Sequence, residues 1–222
     1  PATLKLAAFS MLLALVVSVP LGILAALKHN SIWDSLATAL ATVGVSLPKF
    51  WFGLVLMIVF SLRLGWLPST GSAELSEGLG TFLSYIIMPA ASLALGMAAT
   101  QTRMIRSSML DVLNQDYVRY ARSKGLRERV VIWGHALKNA MIPVITVIGG
   151  EVGGLLGGAV VTESIFSWPG VGRLMMNSIS KRDYPMIQGI TLMLCISYLL
   201  VNLLIDIVYA WVDPRIRLDK KS

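Results

Sequence analysis

The stretch Asp116–Pro143, DYVRYARSKGLRERVVIWGHALKNAMIP, is the one long polar segment in an otherwise apolar chain. Between Arg103 and Lys138 there are eight Lys/Arg and three Asp/Glu, and the runs on either side carry almost no charge. A basic loop between apolar runs belongs on the cytoplasmic face of a membrane, where positive residues are retained. Asp116 is placed as the N-cap of a short helix, and Gly125 as the left-handed residue that ends it. Along that helix Tyr117, Tyr120, Ala121 and Lys124 follow i, i+3, i+4, i+7 spacing and are expected to share one face. A second helix is expected from Glu128 to about Ala140, leading toward the fourth span, with Pro143 near the entry of that span. A helix-glycine-helix elbow held along the membrane surface can receive a push from below and pass it to the spans on either side.

Composition sets the same frame. The 222 residues are 55% hydrophobic and only 14% charged, with a mean hydropathy of +0.72, which suits an integral membrane protein and not a soluble globule. The net charge of +7 sits in short Lys/Arg blocks between apolar runs, the pattern of cytoplasmic loops, and so argues against nucleic acid as a partner. Cys195 is the single cysteine, so the sequence offers neither a disulfide framework nor a cysteine metal site, and the side chain reads as packing. The chain opens on Pro1 with no charged region ahead of its first apolar run, so that run does not read as a signal peptide. It is expected to be a fragment lacking its natural start.

Five spans are expected. Leu6–Leu27 is uncharged and tolerates Pro20, because neighbouring helices can satisfy the carbonyl it frees. Ser35–Leu62 carries only Lys49; as one helix it would run roughly 42 Å, longer than the hydrocarbon core, so Leu47-Pro48 is expected to break it into a leading segment and a span. Trp66 to Gly71 and the acidic Glu74 and Glu77 form an outer loop. Gly78–Thr102 is the third span, continuing past Arg103 and Arg106 as a polar helix to Asn114. Asn139–Thr162 is the fourth, and its glycine pairs Gly149/Gly153, Gly150/Gly154, Gly153/Gly157 and Gly154/Gly158 repeat a small-xxx-small spacing that permits close helix contact. Glu163–Pro185 is an outer connection and Tyr184–Ile205 the last span, stopped by Asp213-Pro214. Arg215, Arg217, Lys220 and Lys221 hold the C-terminus in the cytoplasm, which places Pro1 outside. One further span ahead of Pro1 would bring both ends inside.

The segments YVRYARSKGL (117–126) and HALKNAMIP (135–143) resemble the cytoplasmic motif of the permease subunits of binding-protein-dependent ABC importers, in their oligopeptide, dipeptide and nickel branch. The general signature is Glu-Ala-Ala, three residues, Gly, nine residues, Ile-x-Leu-Pro; Ala121, Gly125 and Leu137 match it, while Arg119 and Lys138 replace its Glu and Pro. GGAVVTESIFSWPGVGR (157–173), RDYPMIQG (182–189) and NLLIDIVYAWVDPRIR (202–217) resemble the same branch, so the likeness runs along nearly the whole chain. It implies an all-α type I ABC importer transmembrane domain over 1–222, five spans here against six in the intact subunit, with 116–143 as the coupling segment. It implies a multi-pass protein of a prokaryotic cell membrane that pairs with a second permease in a heterodimer and takes cargo from an extracytoplasmic solute-binding protein. Two cytosolic ATPases would each grip one elbow through Tyr117, Tyr120, Ala121, Lys124, Gly125 and Leu137. No GxxxxGK[ST] motif occurs in the chain, so this subunit is not expected to be an enzyme or to bind a cofactor: ATP and Mg belong on the partner ATPases.

Other residues carry two readings each. Tyr117 to Gly125 could instead lie on anionic lipid as a basic amphipathic helix. Glu151 is a charge at depth, which either lines the translocation pathway or is a structural carboxylate with a partner. Lys49 either lines that pathway or snorkels to the interface beside Pro48. Asp206 is assigned to interhelical hydrogen bonding. Glu163, Trp168, Pro169 and Gly170 are read as an outer turn with a gating consequence, Trp168 doubling as an interfacial anchor. His29 and His135 both fall in cytoplasmic loops, leaving no histidine for a metal site in the pore. Small peptides are the first cargo and nickel or a nickel complex the second. A secondary transporter is a further alternative, but Pro20, Pro48 and Pro89 show no paired broken-helix pattern. An intramembrane enzyme would need a nucleophile and base or a carboxylate pair, and only Glu151 and Asp206 offer themselves.

Overall fold

The computed structural model describes residues 1–212; the side chains at 156, 158, 206 and 208–212 lie outside that description. Asp213-Pro214, the basic tail and the expected bonding of Asp206 therefore fall outside the described residues. All regular structure within them is helical: α1 Ala2–Leu27, α2 Ile32–Ser46, α3 Lys49–Leu56, α4 Leu79–Leu113, α5 Asp116–Ser123, α6 Glu128–Val130, α7 Leu137–Ile165, α8 Val171–Ser180 and α9 Tyr184–Val212. A π-helical turn, Met57–Arg63, extends α3, and a second, Val131–Ala136, joins α6 to α7 without a break.

Stretches within α1, α4, the run from α6 through α7, and α9 are each long and apolar enough to cross a bilayer. The second expected span is different. Ile32–Ser46 and Lys49–Arg63 pass that test only together, across a bend of 103°. The cause is local: Pro48 brings no N–H and disfavours helix at the residue before it, so Leu47 is extended at φ −78°, ψ 128°. Each arm has 15 residues, about 22 Å of helix against a hydrocarbon core of about 30 Å. The expected leading segment and complete span are thus two half-length arms.

α4 is the axis of the fold, packed by α1, α2, α3 and α7. Toward its N-terminal end Ile86, Leu93 and Met97 bury against Leu6, Leu155 and Trp168. Toward its C-terminal end Ile105 and Met109 bury against Ile23, Ile132, Ala136 and Val144. Its 35 residues make about 52 Å of helix, enough to cross the bilayer and project beyond it. Where α4 emerges, Arg106 clamps the α1–α2 turn: its guanidinium donates to both oxygens of Asp34, the Nη2 bond at 2.8 Å. Asp34 also accepts from the Asn30 backbone N–H at 3.1 Å and meets His29 Nδ1 at 3.1 Å. Asp34 is buried, so this carboxylate has exchanged water for a full set of partners.

Two further expectations change. The second arm of the elbow and the fourth span are one helical run from Glu128 to Ile165, with Pro143 in the first turns of α7. The outer connection contains a helix of its own, α8. The glycine stripe of α7 divides by face. A Cβ at Gly149 would meet Ile205 Cγ2 at 2.6 Å and one at Gly153 would meet Tyr198 Cε2 at 2.8 Å, so these two let α9 approach. Gly150, Gly154 and Gly157 face open space.

Candidate functional site

The elbow over residues 116–143 is built around a small apolar seam. Val118 and Ala121 of α5 bury against Val131, backed by Val112 and Leu113 at the end of α4. Gln115, not Asp116, is the N-cap; Asp116 is the first helical residue, where its carboxylate suits the positive helix end. Gly125 follows the helix with φ +77°, and its N–H donates to the Arg122 carbonyl at 2.9 Å. Only glycine adopts that left-handed geometry without penalty. Arg122 then pairs with Glu128 across the bend at 2.7 Å.

The exposed face of α5 is narrower than the spacing rule suggests. Tyr117, Tyr120 and Lys124 are exposed, and Lys124 Nζ lies 4.7 Å from the centre of the Tyr120 ring. Ala121 is buried with Val118 beneath them, because the i, i+3 pair Val118/Ala121 is the apolar edge of the helix and turns inward. Leu137 likewise packs into the inner apolar cluster. Asn139 Nδ2 donates to the Tyr117 hydroxyl at 2.9 Å, linking α5 directly to α7.

Within the membrane region the fold brings together two residues 102 positions apart. Lys49, at the start of α3, and Glu151, midway along α7, line one cavity of about 340 Å³ with Val45, Gly96, Thr100 and Gly154. The 103° bend carries Lys49 to this cavity. Its side chain runs over Gly96, where a Cβ would lie 3.4 Å from Lys49 Cε, and Ser92 Oγ fixes the backbone at the bend by donating to the Lys49 carbonyl at 2.8 Å. On the other wall Gln101 Nε2 donates to Glu151 Oε2 at 2.6 Å, and Ser18 Oγ donates to Gln101 Oε1 at 2.9 Å. Gln101 is fully buried. This relay through α1, α4 and α7 has one signal in the sequence, a glutamine inside an uncharged run, and its partners are invisible there.

The outer corner is a separate structure. Glu163 is completely buried, and its Oε2 accepts from the backbone N–H of Gly172 at 2.8 Å and of Arg173 at 3.2 Å. It caps the start of α8 from the end of α7, satisfying donors the helix itself leaves open. Gly170 must be glycine, since a Cβ there would sit 2.1 Å from the Glu163 carboxylate. Trp168 is buried, with Nε1 donating to the Ala2 carbonyl at 3.0 Å; it is a core anchor joining α1 to this corner and not an interfacial one. Pro169 is exposed at the turn. Among the described residues no three His, Cys, Asp or Glu side chains form a metal-binding group.

Residues 18–218 match the family described as the binding-protein-dependent transport system inner membrane component. The chain belongs to this family. Among relatives of this permease, the oligopeptide transport system permease protein AppB of Bacillus subtilis is 45% identical over 218 residues, covering 97% of this chain and 69% of that protein. The di/tripeptide transport system permease protein DppB of Pseudomonas aeruginosa is 44% identical over 237 residues, with 98% and 70% covered. The dipeptide transport system permease protein DppB of Escherichia coli is 43% identical over 239 residues, with 97% and 70% covered. In fold, the permease is similar to a chain from a structure of inward-facing conformations of the MetNI methionine ABC transporter, with TM-score 0.77 at 15% identity over 96% of this chain and 93% of that one. The all-α, multi-pass architecture is therefore that of a type I ABC importer transmembrane domain, and the permease is a membrane component and not itself the catalyst.

Proposed function

We propose that this chain is the permease subunit that forms the path for small peptides in an ATP-driven importer. The names of its relatives support peptides; nickel or a nickel complex has no comparable support. In this reading two cytosolic ATPases hold ATP and Mg, a second permease completes a heterodimer, and an extracytoplasmic binding protein delivers cargo. The C-terminus lies in the cytoplasm, as does the elbow.

The observation that carries the mechanism is the continuity of the elbow with the pathway wall. Tyr117, Tyr120 and Lys124 form the grip, Ala121 and Leu137 hold it in shape from within, and Gly125 sets the bend. From Glu128 a single helical run reaches Ile165 and carries Glu151 on the way. A displacement applied to α5 passes through the Gly125 bend and the Val118/Val131 contact into that run, which reaches the cavity without a further loop. Glu163, Trp168, Pro169 and Gly170 keep the outer end of the same helix attached to α8, where a gate would be moved by it.

The test is uptake of a labelled dipeptide by proteoliposomes containing the complete importer and its binding protein. ATP-dependent accumulation is expected, insensitive to an ionophore. Accumulation abolished by the ionophore while ATP persists would favour a secondary transporter instead.

A further inference from the structure

We propose that the cavity between Lys49 and Glu151 is a transient subsite that reads both ends of a short zwitterionic peptide. The Glu151 carboxylate receives the peptide's free α-ammonium, and the Lys49 ammonium receives its free α-carboxylate. This rests on reading the chain as a peptide permease and names the residues through which it handles cargo.

Three observations lead here. First, opposite charges face one cavity of about 340 Å³, yet no ion pair joins them: among the described residues neither has an ion-pair partner within 4.0 Å. Two ionisable groups in membrane-spanning segments, left apart around a space, mark a ligand path more than a structural bridge. Second, the carboxylate is oriented. Gln101, itself fully buried and held by Ser18, donates one N–H to Glu151 Oε2. A carboxylate has about four acceptor positions, so most of its capacity stays available for an ammonium. Third, the space between the charges is kept open by small residues. Lys49 lies along Gly96, and Gly154, which lines the same cavity, has nothing before it.

A zwitterionic peptide supplies both missing counter-charges at once. A ligand with one net charge satisfies one wall and is repelled by the other. Because only termini are read, side chains can vary, and the glycine-lined walls leave them room. Recognition at two separate ends also suits a pathway, where binding must be strong enough to admit cargo and weak enough to release it.

The experiment uses the complete importer in proteoliposomes with labelled dialanine and the variants E151Q, K49M, their double variant, E151D and K49R. Losing one charge-assisted contact should lower uptake about tenfold to a hundredfold in each single neutral variant. The double variant should be worse than either, since the two charges hold different ends of the peptide. E151D and K49R should recover much of the loss, which a general folding defect would not allow. Recovery toward wild type in the double variant would overturn the proposal, because it would mean that Lys49 and Glu151 serve each other as a closing ion pair. Wild-type uptake in either neutral variant, or equal loss in E151Q and E151D, would overturn it as well. If the unaltered complex fails to accumulate dialanine with ATP, the peptide reading itself falls; if it succeeds and the variants match it, only the subsite does.

Discussion

Gly125→Asn, Gly125→Ala and Gly125→Val form a graded test of the elbow. At φ +77° an L-residue suffers from its own backbone, by about 1–2 kcal/mol for an ordinary side chain, less for Asn and more for a β-branched one. No neighbour complicates the comparison, since a Cβ at this position meets nothing within 4 Å. A penalty of about 1–2 kcal/mol changes the population of the bent elbow by a factor of about 5–30. The assay measures permease in the membrane, ATP hydrolysed and dipeptide accumulated, and reports peptide moved per ATP. Asn should stay near wild type, Ala should fall severalfold, and Val should fall furthest while reaching the membrane in normal amount. Wild-type coupling in Gly125→Val would refute the role of the bend. Equal damage from Asn and Val would refute the backbone argument, because it would show that a side chain of any kind is excluded by a docked partner.

Other perturbations follow from the packing. Asp34→Ala leaves Arg106 without its carboxylate and should lower the thermal stability of the purified permease by about 3–5 kcal/mol, read as a clear drop in melting temperature in detergent. Gln101→Leu removes the donor that orients Glu151 and should reduce dipeptide uptake about tenfold with little change in the amount of permease inserted. Gly153→Leu drives a side chain into Tyr198, where even a Cβ would come within 2.8 Å; a cost of about 1–3 kcal/mol is expected, seen as faster proteolysis between α7 and α9. Glu163→Ala strands the N–H groups of Gly172 and Arg173 and should destabilise the outer corner by about 1–3 kcal/mol, whereas Glu163→Gln, which keeps an acceptor, should cost less in the same melting assay.

Much of this was legible in the chain because it is local. Uninterrupted apolar length marks the spans, Pro48 marks the break in the second, and Gly125 marks the bend. Amphipathic spacing was a weaker guide: Tyr117, Tyr120, Ala121 and Lys124 satisfy helical periodicity, but Val118 and Ala121 occupy the buried edge. Which edge of so short a helix turns inward depends on Val131 and on the end of α4, and neither is stated by the helix itself.

Sequence alone therefore determined that this is a polytopic helical protein with a basic, glycine-hinged elbow, because hydropathy, proline and glycine act through the backbone of their immediate neighbours. Tertiary structure decided the rest. It set the angle at Pro48, which brings Lys49 to the same cavity as Glu151; the packing of α1, α4 and α7, which joins Ser18, Gln101 and Glu151; and the fusion of the elbow's second arm to α7. It also gave Glu163 its partners, the backbone N–H groups at the start of α8. Each of these depends on the distance between groups far apart in the chain, and such distances are set by how whole helices pack.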